Sequence, residues 1–184
     1  MSTTTLYSLS ALAGIIAGIC IILGTVLNDL VKKNGAFFNF LGALIGLFGI
    51  TGVFLWQRNE AGTFGVVAYV VVFIGLALIA CNDYAGSFIT PNLPSDVQTQ
   101  LGNSSFMRVM YISFSIFLVG EILFGISTIM AGVFSKITAM LFMIGFLGTT
   151  MRPVNQFITF IGLTMSGAAL IWWGVSLWTM AGGI

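Results

Sequence analysis

The chain is written in long apolar blocks divided by short polar punctuation. About 20 apolar residues in helical form cross the roughly 30 Å hydrocarbon core of a bilayer. Six blocks meet or approach that length, at residues 6–27, 36–56, 62–81, 109–132, 134–151 and 157–180. All but one of the connections are short, so the pattern predicts successive antiparallel helices. Asn28-Asp29-Leu30-Val31-Lys32-Lys33-Asn34-Gly35 divides the first pair and Gln57-Arg58-Asn59-Glu60-Ala61-Gly62 the second. Arg152-Pro153-Val154-Asn155 ends the fifth helix, because proline lacks an N–H and disfavours helix in the residue before it. The fifth block is uninterrupted only from Ile137 to Met151. Lys136 and Arg152 are expected to snorkel to opposite interfaces, and a five-span chain with a re-entrant segment here is the alternative.

One sizeable hydrophilic segment, residues 82–106, interrupts the series. It holds Pro91 and Pro94, then Ser95-Asp96-Val97-Gln98, which fits an N-cap followed by a capping-box glutamine. Gly102 would stop that helix after about two turns. The expectation is a short surface helix tethered by Tyr84, Phe88 and Ile89, because about 25 residues cannot form a catalytic domain. Asn103-Ser104-Ser105 matches a glycosylation sequon, which carries meaning only in a eukaryotic secretory protein.

Composition narrows the class further. Only 6% of the residues are charged and 58% are hydrophobic, against about 25% charged in soluble domains. That excludes a soluble globular protein, a disordered chain and a nucleic-acid binder, and leaves the lipid bilayer as the surrounding medium. The chain has no histidine, which removes Ser-His catalysis, His-ligated haem and most zinc sites. No P-loop, dinucleotide fingerprint, Cys-x-x-Cys or metal-ligand cluster occurs, so neither a cofactor nor a metal is expected, and the chain reads as a non-enzyme. Cys20 and Cys81 fall inside apolar blocks, which argues against a disulfide. The first block lacks a basic leader region and a suitable cleavage site, so it reads as a retained helix. Lys32, Lys33, Arg108 and Arg152 fall on one side of the membrane and Arg58 and Lys136 on the other, a weak bias toward both termini outside.

Small residues recur at helical spacing: Gly14 and Gly18; Asn39, Gly42, Gly46 and Gly49; Asn155, Thr159, Gly162 and Ser166. Lipid supplies little hydrophobic drive between helices, so such stripes read first as packing seams. Three echoes also align the two halves: Gly18-Ile19-Cys20-Ile21 with Gly120-Glu121-Ile122-Leu123, Gly46-Leu47-Phe48-Gly49 with Gly145-Phe146-Leu147-Gly148, and Gly75-Leu76-Ala77-Leu78-Ile79 with Gly167-Ala168-Ala169-Leu170-Ile171. Three spans per half would give inverted repeats of the kind many transporters use. Against this, 23 glycines in an apolar background align easily by chance.

Of the charged residues only Glu121 sits away from a loop or span end. On the same block Ser113, Gly120 and Ser127 repeat every seven residues, with Thr128 beside them. An ionised carboxylate at membrane depth is costly, so Glu121 is expected to be neutral, paired or facing a hydrated cavity. It is either a proton- or cation-coupling group or a structural acid bonded to Asn39, Thr159 or Ser166. Arg108, about 20 Å away along a helix, cannot pair with it. Asn28-Asp29 and Asn82-Asp83 end the first and third blocks on one side, as helix caps or as a shared polar mouth.

Gly49-Ile50-Thr51-Gly52-Val53-Phe54-Leu55, Gly75-Leu76-Ala77-Leu78 with Tyr84 and Pro91, Phe124-Gly125-Ile126 and Trp173-Gly174 together resemble a group of uncharacterised bacterial six-span membrane proteins. The resemblance implies the bacterial cytoplasmic membrane and assigns no residue. The chain is thus expected to be one all-α transmembrane bundle over residues 1–184, of six spans or two inverted three-helix halves. Its expected activity is that of a small transporter or permease working through Glu121, with Asn39, Ser113, Ser127, Thr128, Thr159 and Ser166 as further site candidates. The alternative is an accessory subunit of a membrane complex, and the expected partners are lipid, a second copy or another membrane protein.

Overall fold

The computed structural model describes residues 3–31, 35–102, 104–149 and 155–182, so Lys32, Lys33, Asn103 of the sequon, and Arg152-Pro153 lie outside the described residues. The described chain is all helical: α1 Thr3–Asp29, α2 Ala36–Tyr84, α3 Ser95–Gly102, α4 Ser105–Ala131, α5 Lys136–Thr149 and α6 Gln156–Met180. Four helical stretches are long and apolar enough to cross a membrane, and α5 is a shorter apolar helix.

α2 is two helices. The Thr51 hydroxyl lies 2.9 Å from the Tyr69 hydroxyl, 18 residues on, a separation that would be about 27 Å along a continuous helix. The chain therefore doubles back between them. Phe54 stacks on Tyr69 with ring centroids 4.2 Å apart, and Phe40 meets Tyr84 near the far ends of the same two arms. The reversal is confined to Gly62, at φ 57 and ψ −155, a conformation essentially reserved for glycine. The polar run Gln57–Gly62 is accordingly not the linker expected from its composition. Helix continues through Ala61 and resumes at residue 63, because polar side chains at a bundle end leave the helical backbone bonds intact.

The apolar arms form a closed ring: α1, residues 36–61, residues 63–84, α4, α5, α6 and back to α1. Glycine contacts define the joints. Gly42 and Gly49 bring the first arm of α2 against Ala17, Ile21 and Gly14 of α1. Gly75 meets Phe117 and Gly120 meets Val72 where the second arm crosses α4, Gly145 and Gly162 join α5 to α6, and Gly18 meets Gly167 where α6 returns to α1. The stripes thus pack as expected, apart from Asn155, whose side chain instead caps α6 by accepting from the N–H groups of Phe157 and Ile158.

The ring is inverted relative to a soluble bundle. On α1 the exposed positions are Leu6, Leu9, Leu12, Ile16, Ile19 and Leu23, while the buried ones include Ser10, Gly14, Ala17, Gly18, Gly24 and Thr25. Large apolar side chains outward and small ones inward is the arrangement lipid favours, since close backbone approach rather than apolar burial holds such helices together.

The hydrophilic segment differs in detail from its expectation. Helix runs past Tyr84 into a π turn, Ala85–Ile89, and a 3-10 turn, Thr90–Asn92, and the Phe37, Phe40, Tyr84 and Phe88 rings anchor it. The short helix α3 forms as expected, but Gln98 donates its side-chain amide to the Leu93 carbonyl, so the expected capping-box bond to Ser95 is replaced by one to the chain just before the helix.

Candidate functional site

At one end the ring encloses a cavity of about 400 Å³ to which all six apolar arms contribute. The mouth is built from helix ends: Asn39 near the start of α2, Asn82 and Asp83 at its close, Thr149 ending α5 and Thr159 in the first turn of α6. Between these polar residues the wall is apolar, with Leu76, Met107, Met110, Phe114 and Leu163. The floor is Phe117 against Phe146, edge to face at 4.9 Å. Along α4 the lining runs from Met107 to Phe117, a depth of about 15 Å.

The opposite end is closed. There the fully buried Gln57 donates its side-chain amide to the Thr128 hydroxyl at 2.9 Å, across from the first arm of α2 to α4. Phe124 of α4 meets Trp173 of α6 edge on at 5.9 Å, and Phe142 of α5 lies 4.8 Å from the same indole. Leu177 of α6 fills the space beside Gly52.

Glu121 lies between the two. The inward side of α4 reads Phe117, Glu121, Phe124, Thr128, one helical stripe at spacings of three and four. Phe117 is the cavity floor, so Glu121 stands one turn, about 6 Å, behind it. Gly120 beside it packs on the Val72 backbone, which holds that turn of α4 close against α2. Glu121 is 1% exposed, and neither carboxyl oxygen has a hydrogen-bond partner. The same interior holds further unmet polar atoms: Gln57 Oε1, Ser127 Oγ, Thr138 Oγ1 and the Trp173 indole N–H.

The structure does not bring the expected partners to Glu121. Asn39 and Thr159 stand at the cavity mouth. Ser166 donates to the Gly162 carbonyl and lies against Gly145 in the α5–α6 joint. Ser113 and Thr128 each donate back to their own helix, to Val109 and Phe124, and Ser127 faces Gly65. Of the two polar pairs, Asn28-Asp29 does not cap the end of α1 but ties it to the start of α2 and to α6. Asn28 accepts from the Gly35 N–H at 2.7 Å, and Asp29 accepts from the Gln156 amide at 2.8 Å. Asn82-Asp83 lines the mouth. Gln57 was hidden in a polar run that read as a linker; its place seven residues after the buried Ile50 and three after the buried Phe54 is the signal that puts it inside.

The buried amide makes an asymmetric prediction. Thr128→Val leaves both ends of Gln57 unmet and should lower stability by about 1–3 kcal/mol. Gln57→Leu leaves Thr128 still bonded to Phe124 and should be nearly neutral, as should the double variant. Equal losses for the two single variants in thermal unfolding would contradict this arrangement.

No protein-family model, no curated protein and no solved structure matches the chain. Its function must therefore be read from the site itself.

Proposed function

We propose that the protein is a small permease of six membrane crossings, with Glu121 as its coupling carboxylate and the cavity as its access vestibule. The observation that carries this reading is the position of Glu121: a buried carboxyl without partners, one turn behind the floor of a vestibule that every apolar arm helps to build. Ionisable groups inside a membrane protein are retained chiefly along ion and proton paths. Opening the Phe117–Phe146 floor would give Glu121 access to one aqueous side. Parting Gln57 from Thr128 and Phe124 from Trp173 would give it access to the other. A carboxyl that takes a proton from one side, changes access in the neutral form, releases the proton to the other side and returns ionised moves one proton and one charge per cycle.

The joints of the ring support a construction from two inverted halves. The first helix of each half packs on the third of the other: α1 on α6 through Gly18 and Gly167, and α4 on the second arm of α2 through Gly120 and Gly75. These are the glycines of two of the three sequence echoes. Rocking of one half against the other around a midplane site is how such folds alternate access. The middle helices depart from the pattern, since the first arm of α2 packs on α1 whereas α5 packs mainly on α6. The distribution of Lys32, Lys33, Arg108 and Arg152 favours an orientation with the vestibule facing the cytoplasm.

The test is proton movement in vesicles loaded with a pH-sensitive dye under an imposed potassium diffusion potential. Wild type should acidify the lumen, and Glu121→Gln should fall to the rate of empty vesicles. Wild-type vesicles that behave as empty ones, or Glu121→Gln vesicles that match wild type, would overturn the reading. An accessory subunit would instead be inert alone and co-purify with a larger membrane complex.

A further inference from the structure

The geometry points to an occupant for the vestibule: one acyl chain of a bilayer lipid, inserted sideways between α4 and α5 with its polar end at the rim. This inference rests on the cavity alone and holds whether or not Glu121 couples to proton movement.

Three observations carry it. The first is the sorting of the lining. Asn39, Asn82, Asp83, Thr149 and Thr159 all lie at helix ends on the outer side of the Phe117–Phe146 floor, and the rest of the lining offers hydrocarbon, thioether and aromatic rings. Water gains little against such a wall, since a buried water needs two to four polar partners, roughly. An amphiphile with its head among the polar helix ends and its chain along the apolar wall matches this lining.

The second is size. A methylene takes up nearly the volume of a liquid water, about 30 Å³, so the 400 Å³ of the cavity admits roughly a dozen of them. The depth of about 15 Å along α4 suits the same length of extended chain. Met107 and Met110 supply unbranched, polarisable walls that adapt to a flexible chain.

The third is a side opening. Of the joints between separate helices of the ring, α4 against α5 is the loosest, with Phe117 on Phe146 the ring contact across it. Tyr111 lines the cavity and is also 67% exposed, which makes it the post of a doorway that faces lipid rather than water.

The experiment uses the full chain in phosphatidylcholine vesicles. They contain a trace of phosphatidylcholine with a photoactivatable diazirine in one acyl chain, and in a parallel arm a free diazirine fatty acid. After irradiation, adducts are mapped by mass spectrometry. The phospholipid arm should label Met107, Met110, Phe114 and Phe146 above the outward-facing Val66, Val70 and Ile74. Leu163→Trp, which fills the cavity, should lose the vestibule adducts and keep the outward ones. Ala43→Phe fills it from a different helix and guards against a folding defect in the first variant. Adducts spread evenly over all apolar surfaces, or vestibule adducts that persist in both filled variants, would overturn the proposal. Labelling by the free fatty acid alone would overturn the bilayer lipid as the source. Proton movement measured in the wild-type vesicles separates the two readings: flux without vestibule labelling overturns only the lipid chain, and vestibule labelling without flux overturns only the permease.

Discussion

Glu121→Leu is expected to abolish proton movement and, in the same protein, to raise resistance to thermal unfolding. The two halves of that result follow from one feature. Neither oxygen of the Glu121 carboxyl is hydrogen bonded, and the side chain is enclosed among Phe117, Phe124 and the neighbouring arms. A polar group buried without a partner lowers stability by about 1–3 kcal/mol relative to an apolar group of the same shape. Leucine removes that cost and fills most of the same volume. A carboxyl retained for structure would behave in the opposite way, since deleting it would leave its partner unmet. The sign of the stability change therefore separates a structural acid from a functional one without reference to substrate. Proteins commonly give up stability at their working sites, and Glu121 is where this chain should show that exchange most clearly. Melting in detergent in a Cys81→Ser background, which removes the exposed thiol, followed by a thiol-reactive probe at the buried Cys20, gives the readout. A lower midpoint for Glu121→Leu would place Glu121 in a structural role.

Much of the architecture could be anticipated because lipid leaves the backbone so few choices. Apolar blocks of sufficient length must be helical, since no other single-segment conformation meets its own N–H and C=O groups. The ends of those blocks then mark the helices to within a few residues. The burial of Glu121 was also legible, because one charge in the midst of an apolar block is kept from lipid by facing the bundle interior. What periodicity could not supply was the depth and rotation of each helix relative to the others. Asn39, Thr159 and Ser166 share faces with good seam residues, and nothing in their spacing says that the first two stop at the rim while the third is locked in the α5–α6 joint. Gln57 shows the complementary failure. Its neighbours Arg58, Asn59 and Glu60 are polar and exposed, so the local average pointed outward, although its own helical phase pointed in. The cavity was invisible for a simpler reason: it is assembled from the ends of six arms that are distant in sequence.

The second large effect concerns two glycines that the sequence motif treats as equals. Gly14 and Gly18 form one small-xxx-small pair on α1, and both face α6. A Cβ added at Gly14 would find the Leu170 carbonyl oxygen at 3.4 Å and the Gly174 Cα at 3.5 Å, ordinary contact distances. A Cβ at Gly18 would lie inside contact distance of the Gly167 carbonyl oxygen, 2.7 Å from Ile171 Cγ1 and 3.1 Å from the Ile171 nitrogen. Those are mostly backbone atoms and cannot turn aside. Gly167 in turn sits against the Gly18 carbonyl and Ile22, so the approach is reciprocal. Gly14→Ala should therefore be neutral or stabilising by up to about 1 kcal/mol, the gain in helix propensity. Gly18→Ala should force α1 and α6 apart and lose about 1–3 kcal/mol, as overpacking does in a close-packed interior. The loss matters more here than in water, because α1 and α6 are the joint that closes the ring, and once separated no hydrophobic drive returns them. Gly18→Leu should prevent closure and yield protein that does not stay monodisperse in mild detergent. Equal behaviour of Gly14→Ala and Gly18→Ala in thermal unfolding would mean that the crossing of α1 and α6 does not lie at Gly18.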